Sequence, residues 1–196
     1  MQNNLSRFFL SVTASVILLL TSSCAYKLSD KVDSLPGNVK SIQIPLFKND
    51  SSEVGVETFF TNALKSEALR AKFMSLKNDE GDAEAVLQGR LIKVDVVAAE
   101  SVIEAKNTLY LPTETVIATQ YNVTVGVELI LKKKGSTDIL WRGNFAQTRN
   151  YSAPQITLPT INTANSLYNQ SAKRQTLDAL SKEMMQAAFD RMVENF

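Results

Sequence analysis

From Tyr121 to Leu131 the chain alternates strictly. Tyr121, Val123, Val125, Val127, Leu129 and Leu131 fall on one parity, and Asn122, Thr124, Gly126, Glu128 and Ile130 on the other. A period of two with one apolar face predicts a strand over 119–132, dry on one side and wet on the other, as in an antiparallel sheet. Lys132-Lys133-Lys134-Gly135-Ser136 reads as a turn, after which 139–150 returns as a second strand. Ile139, Trp141, Gly143 and Phe145 share its inner side, with Arg142, Asn144 and Thr148 on the outer; together the two runs make the clearest hairpin in the chain. A third long strand spans 85–98. Its parity changes: Leu87, Gly89 and Leu91 alternate one way, Val94 and Val96 the other, as at a β-bulge near Gly89 to Lys93 or where one end of a strand is covered differently.

The remaining pattern is helical or irregular. Residues 39–47 read as a short strand, with Pro45 marking its end or an edge. Asn49-Asp50-Ser51-Ser52 forms a turn that offers helix caps. A helix over 53–72 gathers Val56, Phe59, Phe60, Ala63, Leu64 and Ala68 on one broad face, and 77–82 is a polar turn. Residues 99–115, interrupted by Pro112, read as a projecting hairpin or loop, and 151–159, with two prolines, as a loop. From 162 to 193 there is neither Gly nor Pro, and Ala164, Leu167, Leu177, Leu180, Met184, Ala188 and Met192 recur at helical spacing. One long helix is expected, with Gln170-Ser171 as the place for any bend. Strand, helix, three or so strands, helix: the order implies a single α+β domain with its helices on one sheet face.

The N-terminus adds a different signal. Arg7 precedes an uncharged apolar run from Phe8 to Leu20, and Thr21-Ser22-Ser23 leads into Cys24, the only cysteine. A run of 13 residues falls short of the roughly 20 that span a bilayer, so the segment reads as a secretory signal. Small residues ending in cysteine resemble a bacterial lipoprotein signal, in which the thiol is lipidated and the chain cut before it. Thr21 stands where the strict motif has Leu. The expected organisation is a signal peptide at 1–23, a lipidated N-terminus and tether at 24–38 ending in Pro36-Gly37, and the domain at 39–196. The anchor would hold the protein to a membrane without spanning it.

Composition then removes whole classes of function. Cleavage before Cys24 leaves 173 residues with 20 basic and 20 acidic side chains, which argues against a nucleic-acid binder or a polybasic membrane-surface protein. There is no histidine, and with Cys24 committed to lipid no thiol is left for a nucleophile, a metal site or a disulfide. No G-x-S-x-G, S-x-x-K or P-loop is present. Asp79-Glu80-Gly81-Asp82 lacks calcium-loop spacing and reads as a solvated turn. The composition argues against an enzyme and implies no cofactor.

The pieces in order resemble a known family. A lipoprotein cysteine followed by Tyr26-Lys27-Leu28, Pro36, and Ser41-Ile42-Gln43-Ile44-Pro45-Leu46-Phe47-Lys48-Asn49 is similar to the start of the lipopolysaccharide-assembly lipoproteins (LptE). The helix at 54–69, the Ala83-to-Gly89 strand, Tyr121-x-Val123-x-Val125, Leu140-Trp141 and a long terminal helix continue the match. The resemblance implies an about four-stranded, mostly antiparallel sheet carrying two helices on one face. It also implies a non-enzymatic role: plugging and helping to assemble the large outer-membrane β-barrel translocon, and binding lipopolysaccharide. Phosphates and carboxylates of such a ligand call for Lys and Arg. The candidates are Lys132, Lys133 and Lys134 on the hairpin turn and Lys106 in the projecting segment, each of which also reads as a solvated surface lysine; Lys173 and Arg174 on the last helix read as surface. Ala25 after the cysteine is not the aspartate that retains enteric lipoproteins in the inner membrane, so the outer membrane, periplasmic side, is expected. Accessory lipoproteins of secretion channels or cell-wall synthases open with a similar strand and stay open as an alternative. A carboxylate-based hydrolase would need a pair of acids that the sequence does not offer.

Overall fold

In the computed structural model, residues 34–99, 102–104, 116–118, 120–152, 156–158, 161–163 and 166–194 are described. The elements in chain order are β1 (Ser41–Gln43), β2 (Lys48–Asn49), α1 (Val56–Arg70), β3 (Ser75–Lys77), a 3-10 turn (Glu80–Asp82), β4 (Ala85–Ala98), β5 (Val102–Glu104), β6 (Val116–Ala118), β7 (Gln120–Lys133), β8 (Ile139–Ser152), β9 (Ile156–Leu158), β10 (Ile161–Thr163) and α2 (Ser166–Glu194). Cys24, Lys106 and the segments assigned to signal and tether as far as residue 33 lie outside the described residues.

The three long strands form the frame. β4, β7 and β8 are consecutive antiparallel neighbours, with Leu87 opposite Leu131 and Leu131 opposite Trp141. The expected bulge is present: the β4–β7 register shifts between Leu91 and Lys93. It turns Ile92 out and hands the inner parity from Leu91 to Val94, both of which are buried. A second bulge was not foreseen. The β7–β8 register shifts where Leu131 pairs with Trp141 but Lys132 with Ile139. Ile139 therefore leaves the inner side expected for it, and Leu140 is the residue packed against the core.

The sheet has six strands, running β3-β1-β4-β7-β8 with β2 also on β4. β1 pairs in parallel with both β3 and β4, and β2 in parallel with β4, so the expected mostly antiparallel frame carries a parallel side. The strand expected over 39–47 is two short strands on the same edge of β4, because Pro45 has no N–H for the ladder. In the segment that reads as a projecting hairpin or loop, residues 102–104 pair antiparallel with 116–118 as a separate two-stranded sheet. The stretch expected to be a loop after β8 contains another, with Ile161 opposite Leu158, so α2 begins at Ser166 and not near 162.

Both helices cover one face. Val56, Phe60, Ala63, Leu64 and Ala68 of α1, and Leu177, Leu180, Met184, Met185, Ala188, Phe189 and Met192 of α2, join the inner positions of the three long strands in one apolar cluster. The core starts before β1. Leu35 is fully buried and bridges Val39 through a tight turn in which Gly37 and Asn38 have positive φ. A Cβ on Gly37 would stand 3.0 Å from Leu140, so this clasp packs against the start of β8.

Candidate functional site

The uncovered face of the sheet is where the polar strand positions converge. Register places Gln88, Ile130 and Arg142 in one row, Arg90, Glu128 and Asn144 in the next, and Asp95, Thr124 and Thr148 further along. Asn122, Thr124, Glu128, Arg142, Asn144 and Thr148, expected to share a wet face, do so. Thr124 and Thr148 hydroxyls meet at 2.8 Å, and Arg142 lies 3.7 Å from Glu128.

One edge of this face is shaped by Ile44-Pro45-Leu46-Phe47. Phe47 turns inward and its ring takes the space of a side chain at Gly89: a Cβ there would sit 2.3 Å from the ring. The Phe47 N–H donates to the buried hydroxyl of Thr61 (3.0 Å), which donates to the Glu57 carbonyl of α1 (2.7 Å). With Phe47 pointing in, Leu46 points out and is 63 % exposed. Asn49 completes the corner. Its amide donates to the Glu53 carbonyl (2.7 Å) and the Glu57 carboxylate (2.8 Å), and its oxygen accepts from the Ser51 N–H (3.0 Å) and hydroxyl (2.7 Å). The Glu57 carboxylate also accepts the Gly55 N–H (3.1 Å), which serves α1 in place of the missing side-chain cap. Read from sequence alone, the I-P-x-F-x-N stretch gives no hint that its phenylalanine and asparagine hold α1 on the sheet.

A groove of about 420 Å³ opens on the uncovered face beside this corner. Pro45, Leu46 and Ile130 supply its apolar lining, and Lys48, Arg90 and Glu128 its charged lining. Asp50 stands between two cations, bonded by Arg90 and 3.4 Å from Lys48. The hydrogen bond from Arg90, with a smaller one from Lys48, holds its carboxyl below the usual carboxylate range.

The candidate lysines do not converge. Lys132 lies on the uncovered face, opposite Val86 and Ile139. Lys133 and Lys134 are exposed in the turn, where Gly135 adopts φ +67°. The Lys134 amine bonds the Gly81 carbonyl, so it is tied to the 3-10 turn that carries Glu80 and Asp82. At the opposite end of the frame, Glu104 pairs with Val116, beyond the start of β7. β7 alone has 14 residues, about 45 Å at strand rise, between that end and the Lys132–Lys134 turn. Sequence reasoning also missed Lys48 and Arg90; the signal for them is spatial, since they are 42 residues apart yet opposite one another in register. No group of His, Cys, Asp or Glu that would hold a metal is present among the described residues. Among them, no helix is long and apolar enough to cross a membrane.

A mixed open sheet backed by two helices defines the class: an α+β domain with one sheet face left open among the described residues. Residues 39–196 match the family described as LptE, lipopolysaccharide-assembly. The chain belongs to that family, whose members are assembly lipoproteins and not enzymes. No curated protein matches the chain. Among solved structures, a hypothetical protein from Chlamydia trachomatis is similar at 7 % identity and a TM-score of 0.47, covering 81 % of this chain and 99 % of that one. PelC from Paraburkholderia phytofirmans, a dodecamer, is similar at 9 % identity and a TM-score of 0.44, covering 79 % and 87 %. A minor lipoprotein from Acinetobacter baumannii is similar at 14 % identity and a TM-score of 0.40, covering 80 % and 92 %.

Proposed function

We propose that this protein is an outer-membrane lipoprotein, anchored through Cys24 on the periplasmic side, that plugs and helps assemble the β-barrel lipopolysaccharide translocon and binds lipopolysaccharide. The family match across the whole described domain carries this reading. The uncovered sheet face supports it physically. Wide barrels have a polar, wet lumen, and a folded plug needs polar side chains that meet the wall without first losing an apolar surface. Asn122, Thr124, Arg142, Asn144 and Thr148 provide such a face over two strands.

A pull-down of the tagged lipidated protein from native membranes in mild detergent tests the role. A stoichiometric barrel of the lipopolysaccharide translocon is the expected partner. A secretion channel or a cell-wall synthase in its place would overturn it in favour of another envelope accessory. The intact mass of the mature N-terminus checks the anchor, with Cys24→Ala expected to abolish lipidation. The lysine candidates, Lys106 and Lys132 to Lys134, are tested by changing each group separately to Gln and measuring lipopolysaccharide retention. Loss of retention in one group alone marks that group as the site, and unchanged retention in both overturns the lysine assignment.

A further inference from the structure

The chain enters the domain at one end of the sheet frame, and the surface there differs from the rest. Leu35 bridges Val39, which sets Ser34 beside Lys40. The Lys40 carbonyl accepts the Ser75 N–H at 2.8 Å, so the link from α1 to β3 lies against the same point. In the last turn of α1, Leu69 is 70 % exposed and the Arg70 side chain 73 %. Lys72 is exposed after them, and Phe73 and Met74 are half-buried. The helix already buries Val56, Phe60, Ala63, Leu64 and Ala68, so folding asks nothing of Leu69. From Ala68 to Asn78 there are three cations and no acid, although the whole chain carries a net charge of only +1. Arg70 lies 2.9 Å from Glu67, while among the described residues Lys40 and Lys72 form no ion pair. Glu84 is also at this end, and its carboxylate accepts the Lys40 backbone N–H at 2.7 Å.

We infer that this corner seats on a phospholipid surface, with Leu69 entering the boundary between headgroups and acyl chains and Lys40 and Lys72 meeting the phosphates. Apolar side chains interleaved with cations suit that boundary, because the methylenes leave water while the charges stay at headgroup level. The position of the chain entry says which surface it is. Ser34 follows Cys24 by 10 residues, at most about 35 Å of extended chain. A lipid on Cys24 keeps this corner within that distance of the bilayer, so seating it is an intramolecular step helped by a high effective concentration. The inference rests on the anchor proposed at Cys24. Its consequence is orientation: the long strands are held at one end and cannot swivel freely on the tether.

The test reconstitutes the full lipidated protein in two kinds of vesicle, phosphatidylcholine alone and equal parts of phosphatidylcholine and phosphatidylglycerol. With Cys24 acylated, an introduced thiol takes a nitroxide label without competition. Ser75→Cys puts the label at the corner and Ser52→Cys puts it before the other end of α1; both positions are exposed. A nickel-chelating lipid then reports how near each label lies to the headgroups. In the phosphatidylglycerol vesicles Ser75→Cys is expected to relax several-fold faster than Ser52→Cys, and the contrast should fade as salt is raised. Added to this background, Lys40→Gln and Lys72→Gln should each lower the ratio of seated to free domain about fivefold, the worth of one cation near an anionic surface. Leu69→Ser should lower it about tenfold. All three side chains are exposed, so an unchanged denaturant midpoint is expected alongside. Equal relaxation of the two labels, or a contrast untouched by the three variants, would overturn the inference. So would an equal contrast in phosphatidylcholine alone, or a co-purifying protein that shields Ser75→Cys from the nickel lipid. An unmodified N-terminus in the intact mass removes the anchor and the inference with it, whereas an acylated N-terminus with equal labels removes the corner alone. A seated corner with no co-purifying barrel supports the inference and overturns the proposed translocon role.

Discussion

The two faces of β4, β7 and β8 are built from alternate residues of the same strands, yet they obey different rules. On the helix side, Leu87, Leu91, Val123, Val125, Val127, Leu129 and Leu131 are each at most 1 % exposed, and two helices close over them. On the other side the same strands present Gln88, Arg90, Thr124, Glu128, Arg142 and Asn144 to solvent, with one ion pair between Glu128 and Arg142 and one hydroxyl contact between Thr124 and Thr148. The covered face decides whether the chain folds; the uncovered one is free to be chosen by what it touches. Exposed ion pairs contribute at most about 1 kcal/mol each, whereas one buried leucine contributes several times that.

The comparison breaks first, and most visibly, at the corner where the faces meet. Phe47→Ala should cost about 3–5 kcal/mol, and Leu129→Ala about 2–5 kcal/mol, read as lower denaturant midpoints. Gly89→Ala should cost about 1–3 kcal/mol because the new methyl meets the Phe47 ring. The double variant Phe47→Ala with Gly89→Ala should cost less than the sum, and strict additivity would show that the ring and the glycine are not coupled. Asn49→Ala comes next, at about 1–2 kcal/mol, since it removes the side chain that orders the approach to α1. On the open side, Glu128→Ala and Thr148→Val should stay within about 0.5 kcal/mol. A larger loss there would show that the uncovered face also carries the fold.

The smallest effect is electrostatic. Asp50 has its pKa lowered in the folded state, so its contribution is present above the ordinary carboxylate range and fades as pH falls through the lowered value. Acid unfolding of Asp50→Asn should therefore begin from a slightly less stable baseline and be less steep below about pH 4. Tyr151 runs the other way. Burial, with Tyr121 and Glu53 nearby, raises its phenol, so its contribution is full below about pH 10 and is lost as pH rises through the raised value. Tyr151→Phe should remove that alkaline loss.

Much of this was legible in the sequence wherever the pattern was local and long. Period two over 14 residues located β7 and β8, and the parity change after Leu91 located the β4 bulge. The helix spacing of Val56, Phe60 and Leu64 located α1. What escaped depended on contacts between distant segments. β3 has three residues and pairs with a strand 34 positions earlier, which leaves no local trace. Ile139 has the parity of Trp141, but Leu140 is inserted in the ladder and reverses it. Proline and threonine made the region before α2 look like a loop, although Ile156 to Leu158 pair with Ile161 to Thr163. Lys132, Lys133 and Lys134 form a run along the chain, but a turn sends neighbouring side chains to different surroundings.

The Leu35–Val39 clasp has a mechanical consequence. A pull on the chain N-terminal to Ser34 reaches the core first at the fully buried Leu35 and then at β1. β1 is held between β3 and β4, with both ladders running parallel to it. Tension along that strand loads its hydrogen bonds together in shear, instead of opening them one at a time like a zipper. A domain held by its N-terminus is thus gripped through its interior, and a leash attached there tugs on the whole sheet before it can peel off any single strand.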